Sequence, residues 1–224
     1  MTKALVILAL AVTMFTALGV WQVQRLGWKT QLIATVQARV KADPVAAPAP
    51  ADWPQVSQVS AEYTRITLTG QYDFAREVLV QAVTDLGPGF WVMTPLKTDA
   101  GWTVLVNRGF VGIDQRDPSL RSHADGLHSV VGLLRLSQPG GAFLHANAPE
   151  ANRWYSRDTS AIATAENLGT VAPYFIDADK AGGLPVGGLT VVTFRNAHLA
   201  YALTWFAVAF GLAIAGVVVL PRTR

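Results

Sequence analysis

His198 is the residue whose type and position best suit chemistry. It stands at the mouth of an apolar run, residues 199–220, that holds no Asp, Glu, Lys, Arg or further His. An imidazole there has no soluble-surface explanation, and its desolvation needs compensation, which makes it a functional candidate by default. On a helix, His198, Tyr201, Ala202 and Trp205 share one face by their i, i+3, i+4, i+7 spacing. A neutral imidazole nitrogen can ligate haem iron, and aromatic and alanine neighbours offer a flat apolar place for a macrocycle. Arg195 lies one turn nearer water and could pair with a propionate, a role open also to Arg25 and Lys29 beside the other apolar run. The competing reading makes the same residues ordinary interfacial anchors.

Other constellations carry less. Ser122-His123 with nearby aspartates would make a hydrolase triad only with a strand–turn–helix context, which this polar stretch lacks. The sequence has no G-x-S-x-G, no H-E-x-x-H and no phosphate-binding glycine loop, so no enzyme is expected. His123, His128 and His145 read as surface histidines. Arg108, in Asn107-Arg108-Gly109-Phe110, could face a partner or sit in a structural hydrogen-bond network, and the network is favoured. Gly87-Pro88-Gly89 and Asn152-Arg153-Trp154 stand between turn chemistry and recognition.

The elements that position these residues follow from hydropathy. Residues 4–21 and 199–220 are free of charged side chains, and at about 1.5 Å rise per residue each crosses most or all of a ~30 Å hydrocarbon layer. A signal peptide is the alternative for the first run, but it is longer than an h-region and no A-x-A site follows. The expected order is a first span at 1–21, a membrane-proximal amphipathic helix at 22–43 and a proline-rich linker at 44–55. A β-rich domain at 56–197 follows, then a second span at 198–220 and a tail at 221–224. The fold class is two transmembrane helices flanking an antiparallel β-rich extramembrane domain with one or two short helices.

Within the domain, alternation predicts strands at 63–68 (ending at Gly70), 77–83, 90–96, 102–111, 130–136, 174–177 and 189–194. Thr98-Asp99-Ala100-Gly101 predicts a hairpin, and residues 112–128 a polar loop. Asp158 caps a short helix running to about Asn167, with Gly169 beyond its end.

Net charge is +3 and there is no cysteine, which excludes disulfides and thiolate chemistry. Nothing suggests nucleic-acid binding. Lys3 and Arg222 with Arg224 favour both termini in the cytoplasm, whereas Arg25, Lys29 and Arg39 argue the other way, so charge alone leaves orientation open.

Taken together, several stretches resemble the Surfeit-locus (Shy) family of cytochrome c oxidase assembly factors. They run from Leu18-Gly19-Val20-Trp21-Gln22-Val23-Gln24-Arg25-Leu26-Gly27-Trp28-Lys29 through Gly70-Gln71-Tyr72 and Gly87-Pro88-Gly89 to Thr94-Pro95-Leu96. Val106-Asn107-Arg108-Gly109-Phe110-Val111, Asn147-Ala148-Pro149 and Asn152-Arg153-Trp154 follow. The last runs from Arg195-Asn196-Ala197-His198 to Trp205-Phe206. Phe110 stands where tryptophan is common, and Ala197 where asparagine is.

The resemblance implies a chaperone of respiratory chain biogenesis that binds haem a transiently through His198. It would assist delivery to the catalytic subunit of a haem–copper oxidase, and its partners would be that subunit, the haem a synthesis machinery and the lipid bilayer. It also implies a multi-pass protein with its large domain in the periplasm; with no transit peptide ahead of the first span, a bacterial plasma membrane is expected. The alternative is a cofactor-free structural chaperone that holds oxidase subunits, with His198 as an anchor. A membrane-tethered enzyme fits least well.

Overall fold

A charge-free N-terminal run followed by strong helix formers gives one unbroken helix, α1 (Thr2–Lys41). The computed structural model describes all residues except 1, 122, 124, 142–144, 191, 193 and 220–224. The chain divides into two units, Met1–Gln37 with Val192–Arg224, and Ala38–Val191.

In the first unit α1 packs against α3 (His198–Val219). Both helices are long and apolar enough to cross a membrane. Phe15 stacks on Trp205 with ring centroids 5.5 Å apart. Gly19 faces Phe206 so closely that a Cβ would lie 2.5 Å from its ring. Farther along α1, Gln22 meets His198 and Thr30 meets Asn196, so higher numbers of α1 face lower numbers of the second helix and the two run antiparallel.

In the second unit the strands are β1 (Val45–Ala46), β2 (Arg65–Tyr72), β3 (Val78–Thr84), β4 (Gly87–Thr98), β5 (Thr103–Gly112), β6 (Leu127–Leu136) and β7 (Val171–Ala178). They pair in the order β1-β2-β6-β7-β5-β4-β3, and a further pairing of β2 with β4 closes β2, β6, β7, β5 and β4 into a ring. Most pairings are antiparallel; β5–β7 and β1–β2 are parallel. The parallel pair arises because the chain turns back through β6 before β7 returns beside β5.

Period-two alternation fills both faces of the ring. Ile66, Leu96, Val104, Val106, Val130, Leu134, Tyr174 and Ile176 form one core cluster. The opposite face of the same strands contributes Met93, Leu105 and Phe175 to a second cluster, with Val78, Val80, Trp154 and Ile162. Ile162 comes from α2 (Thr159–Ala165), whose first turn is capped by Asp158 Oδ1 accepting from the Ala161 amide at 3.1 Å. Burying each large apolar side chain of this kind contributes about 1.5–3 kcal/mol.

Two expectations change at particular residues. β2 does not stop at Gly70 but continues to Tyr72, because Gly70 pairs with both β6 and β4. A Cβ there would meet the Lys97 carbonyl oxygen at 2.5 Å, so only glycine lets β4 approach and the ring close. The described residues of 189–194 form no strand.

The proline-rich segment is tied to the sheet. Val45 and Ala46 pair with β2, and the Pro48 carbonyl accepts from Tyr174 Oη at 2.7 Å and Trp53 Nε1 at 3.1 Å. Burial raises the Tyr174 phenol above its ordinary range.

Candidate functional site

His198 opens α3, where the chain passes from an irregular segment into its apolar helix. Its Nδ1 lies 2.7 Å from Oε1 of Gln22 on α1, and Gln22 is only 9% exposed. An amide oxygen accepts, so Nδ1 is the donor in this pairing, and in the neutral ring that leaves the lone pair on Nε2. An imidazole in that tautomer is a neutral nitrogen ligand.

The other residues of the sequence-derived site divide. Ala202 is 2% exposed, and Trp205 stacks on Phe15; with His198 they mark the side of α3 turned toward α1. Tyr201 is 54% exposed, one turn along from His198, and Leu199 is 55% exposed on the other side of the helix. Arg195 precedes the helix and is exposed. On α1, Arg25 lies over the rings of Trp21 and Trp28, 5.8 and 5.4 Å from their centroids. That trio forms a cationic and aromatic band suited to a headgroup layer. Gln22 is the residue that sequence reasoning missed. Its signal was an uncharged amide directly after the charge-free run.

The second unit holds a separate ionic lattice. β5 bulges at Arg108: Val92 pairs with Gly109 and Met93 with Asn107, so Arg108 is the extra residue. Asn107 Oδ1 accepts the Gly109 amide at 3.2 Å, fixing the bulge. Arg108 then reaches Glu77 Oε2 at 3.2 Å and lies over Tyr72 and Phe74, 5.5 and 5.0 Å from their centroids. The same Glu77 accepts from Arg121 at 2.7 Å and from the Thr94 hydroxyl at 2.8 Å. The network reading of Arg108 is therefore what the structure adopts. Burial pushes the Tyr72 phenol up to about 12, with the Arg108 cation pulling the other way. Tyr72, Arg108 and His128 line a cavity of about 370 Å³ with Lys180 and Leu184.

On the opposite face of the strands, Asp177 accepts from Asn107 at 2.7 Å, Arg135 at 2.8 Å, Arg157 at 3.0 Å and Thr190 at 2.9 Å. Burial lowers both arginines. For Arg135 the attraction of Asp177 and a hydrogen bond to Glu62 outweigh burial and raise its pKa. For Arg157 burial prevails, helped by repulsion from Arg135. This lattice satisfies its own charges and ties β5, β6 and β7 together.

The remaining candidates are structural. His123 packs on Phe74, His128 on Tyr72 and His145 on Tyr155, with centroids 4.7, 5.0 and 5.0 Å apart. Ser122 lies outside the described residues. Among the described residues no group of His, Asp and Glu could hold a metal ion. Asn152, with φ +46°, turns the chain and accepts from Trp154 Nε1 at 3.1 Å, while Trp154 is buried.

Comparison with known proteins covers nearly the whole chain. The SURF1 family model matches residues 9–210. The chain is 39% identical over 210 residues to Surfeit locus protein 1 of Mus musculus, covering 84% of this chain and 66% of that protein. It is 37% identical over 226 residues to the Homo sapiens protein of the same name, covering 91% and 73%. For the Takifugu rubripes protein the figures are 35% identity, 84% and 85%. The chain thus spans about two thirds of the mouse relative's length. A match running from the first apolar helix through the sheet to the second helix means that the chain belongs to the SURF1 family.

Proposed function

We propose that this protein is a membrane-embedded assembly factor for a haem–copper cytochrome c oxidase, binding haem a at His198 and assisting its delivery to the catalytic subunit. The observation that carries the reading is the 2.7 Å contact of His198 Nδ1 with Gln22, which in the neutral ring leaves Nε2 open as a ligand. The donor set suits a haem, because a single imidazole has the exposed aromatic ring of Tyr201 one turn along the same helix face. Arg195 is the propionate partner, and Tyr201 and Trp205 supply aromatic surface. When bound, haem a brings a hydrophobic, redox-active iron centre. The protein's own task is to hold it through one ligand weakly enough to release it.

Both apolar helices would lie in a bacterial plasma membrane, with the β-rich domain in the periplasm and both termini in the cytoplasm. The partners are the oxidase catalytic subunit and the haem a synthesis machinery. No catalytic step is assigned to the chain.

A second reading, a cofactor-free structural chaperone, draws on a different observation. Val83 and Leu86, where β3 turns into β4, are 83% and 58% exposed and would suit contact with an oxidase subunit.

Co-expression with haem a synthesis enzymes, purification in mild detergent and visible spectra of the parent and His198→Ala separate the readings. A haem a spectrum in the parent that is lost in a folded His198→Ala protein is the expected result. Absence of haem from both under abundant supply would favour the structural chaperone.

A further inference from the structure

We propose that Gln22 is the positioning residue of His198: its amide oxygen fixes the imidazole as the Nδ1–H tautomer and keeps the Nε2 lone pair open for a metal. The proposal deepens the haem-carrier reading, and its first half stands on the helix pair alone.

A glutamine directly after the charge-free run of α1, 9% exposed, carries an amide whose burial costs free energy unless it is hydrogen-bonded. Its oxygen is used on His198 Nδ1 at 2.7 Å, a short and well-formed contact. A neutral imidazole has one N–H and one nitrogen lone pair, so the choice of nitrogen decides through which atom the ring can ligate. With Oε1 as acceptor the proton sits on Nδ1. With the amide reversed, its NH₂ would donate to Nδ1 and the proton would move to Nε2, closing that nitrogen to a metal. Metal-ligating histidines generally donate their second ring nitrogen to a fixed acceptor, which sets tautomer and ring orientation.

The helix packing holds this acceptor in place. Phe15 stacks on Trp205, and Gly19 admits the ring of Phe206 where a Cβ would lie 2.5 Å away. These contacts fix the register of α1 against α3 near Gln22. A contact whose sole purpose was to bind two helices could use either face of the amide. Ligation needs the oxygen.

The test uses the full chain in detergent with ¹⁵N-labelled histidine, His198 being identified by its loss in His198→Ala. Without haem, the parent should show a protonated Nδ1 and an unprotonated Nε2. Gln22→Leu should lose this fixed tautomer, whereas Gln22→Glu, which keeps an acceptor oxygen, should retain it. With haem a supplied, Gln22→Leu should bind about 10–100-fold more weakly. Gln22→Glu should retain the haem at a lower midpoint potential, since a stronger acceptor makes the imidazole more basic. A parent protonated on Nε2, or a folded Gln22→Leu with the parent's tautomer and haem affinity, would overturn the proposal. A parent that shows the Gln22-dependent tautomer yet takes no haem would remove the carrier reading and leave the tautomer assignment standing.

Discussion

Arg121 reaches Oε1 of Glu77 at 2.7 Å across 44 residues of sequence, and the two side chains are 1% and 5% exposed. The other carboxylate oxygen takes Arg108 and Thr94. Arg121 NH1 also donates to the carbonyls of Gln115 and Arg116, each at 3.1 Å, so this arginine gathers the loop onto the sheet. One carboxylate thus faces two guanidinium groups that are 12% and 1% exposed, and it offsets one of their two charges.

Glu77→Gln keeps the shape and removes the charge. It should destabilise the domain by about 3–5 kcal/mol, because both cations remain buried without their counter-ion. Urea unfolding followed by tryptophan emission reads this directly. A variant as stable as the parent would mean that solvent, not Glu77, balances Arg108 and Arg121.

The sequence made some of this legible and not the rest, for physical reasons. Strands β3 to β6 were readable because their apolar residues alternate, and the β4–β5 hairpin because Gly101 takes φ +85° in the turn. The two apolar helices were readable from composition alone. Ring closure was hidden in Gly70, which has the look of a strand terminator until β4 approaches it. Arg121 looked like loop charge because its partner is distant in the chain. Gln22 was hidden likewise: an amide is unremarkable until a histidine from the other end of the chain stands 2.7 Å from it.

The bulge that aims Arg108 depends on glycine. Gly109 takes φ +139°, and a Cβ there would lie 2.4 Å from the Val186 carbonyl. Gly109→Ala should therefore cost about 3 kcal/mol or more, combining left-handed strain with a backbone clash. Gly101 supplies the contrast: its φ is +85°, yet nothing lies within 4 Å of a Cβ. Gly101→Ala should cost only about 1 kcal/mol, the conformational part alone. Thermal unfolding of the two variants side by side checks the ordering. Equal losses would show that the segment around Val186 yields to the added methyl.

Tyr72 contributes to the alkaline sensitivity of the domain. Burial lifts its phenol from 10.0 to about 12, against the opposing pull of Arg108. A folded-state pKa above the unfolded one means that the unfolded chain surrenders the proton first as pH rises. The associated stability is full below pH 10 and falls away between about pH 10 and 12, by up to about 3 kcal/mol. Tyr72→Phe cannot ionise, so its stability should decline less steeply across that window. Some slope should remain, because burial also raises Tyr174. Urea unfolding of both proteins from pH 8 upward gives the comparison. Parallel declines would place the alkaline sensitivity elsewhere, whereas a flatter curve for the phenylalanine variant would identify the Tyr72 hydroxyl, packed beneath Arg108, as a titrating group of the fold.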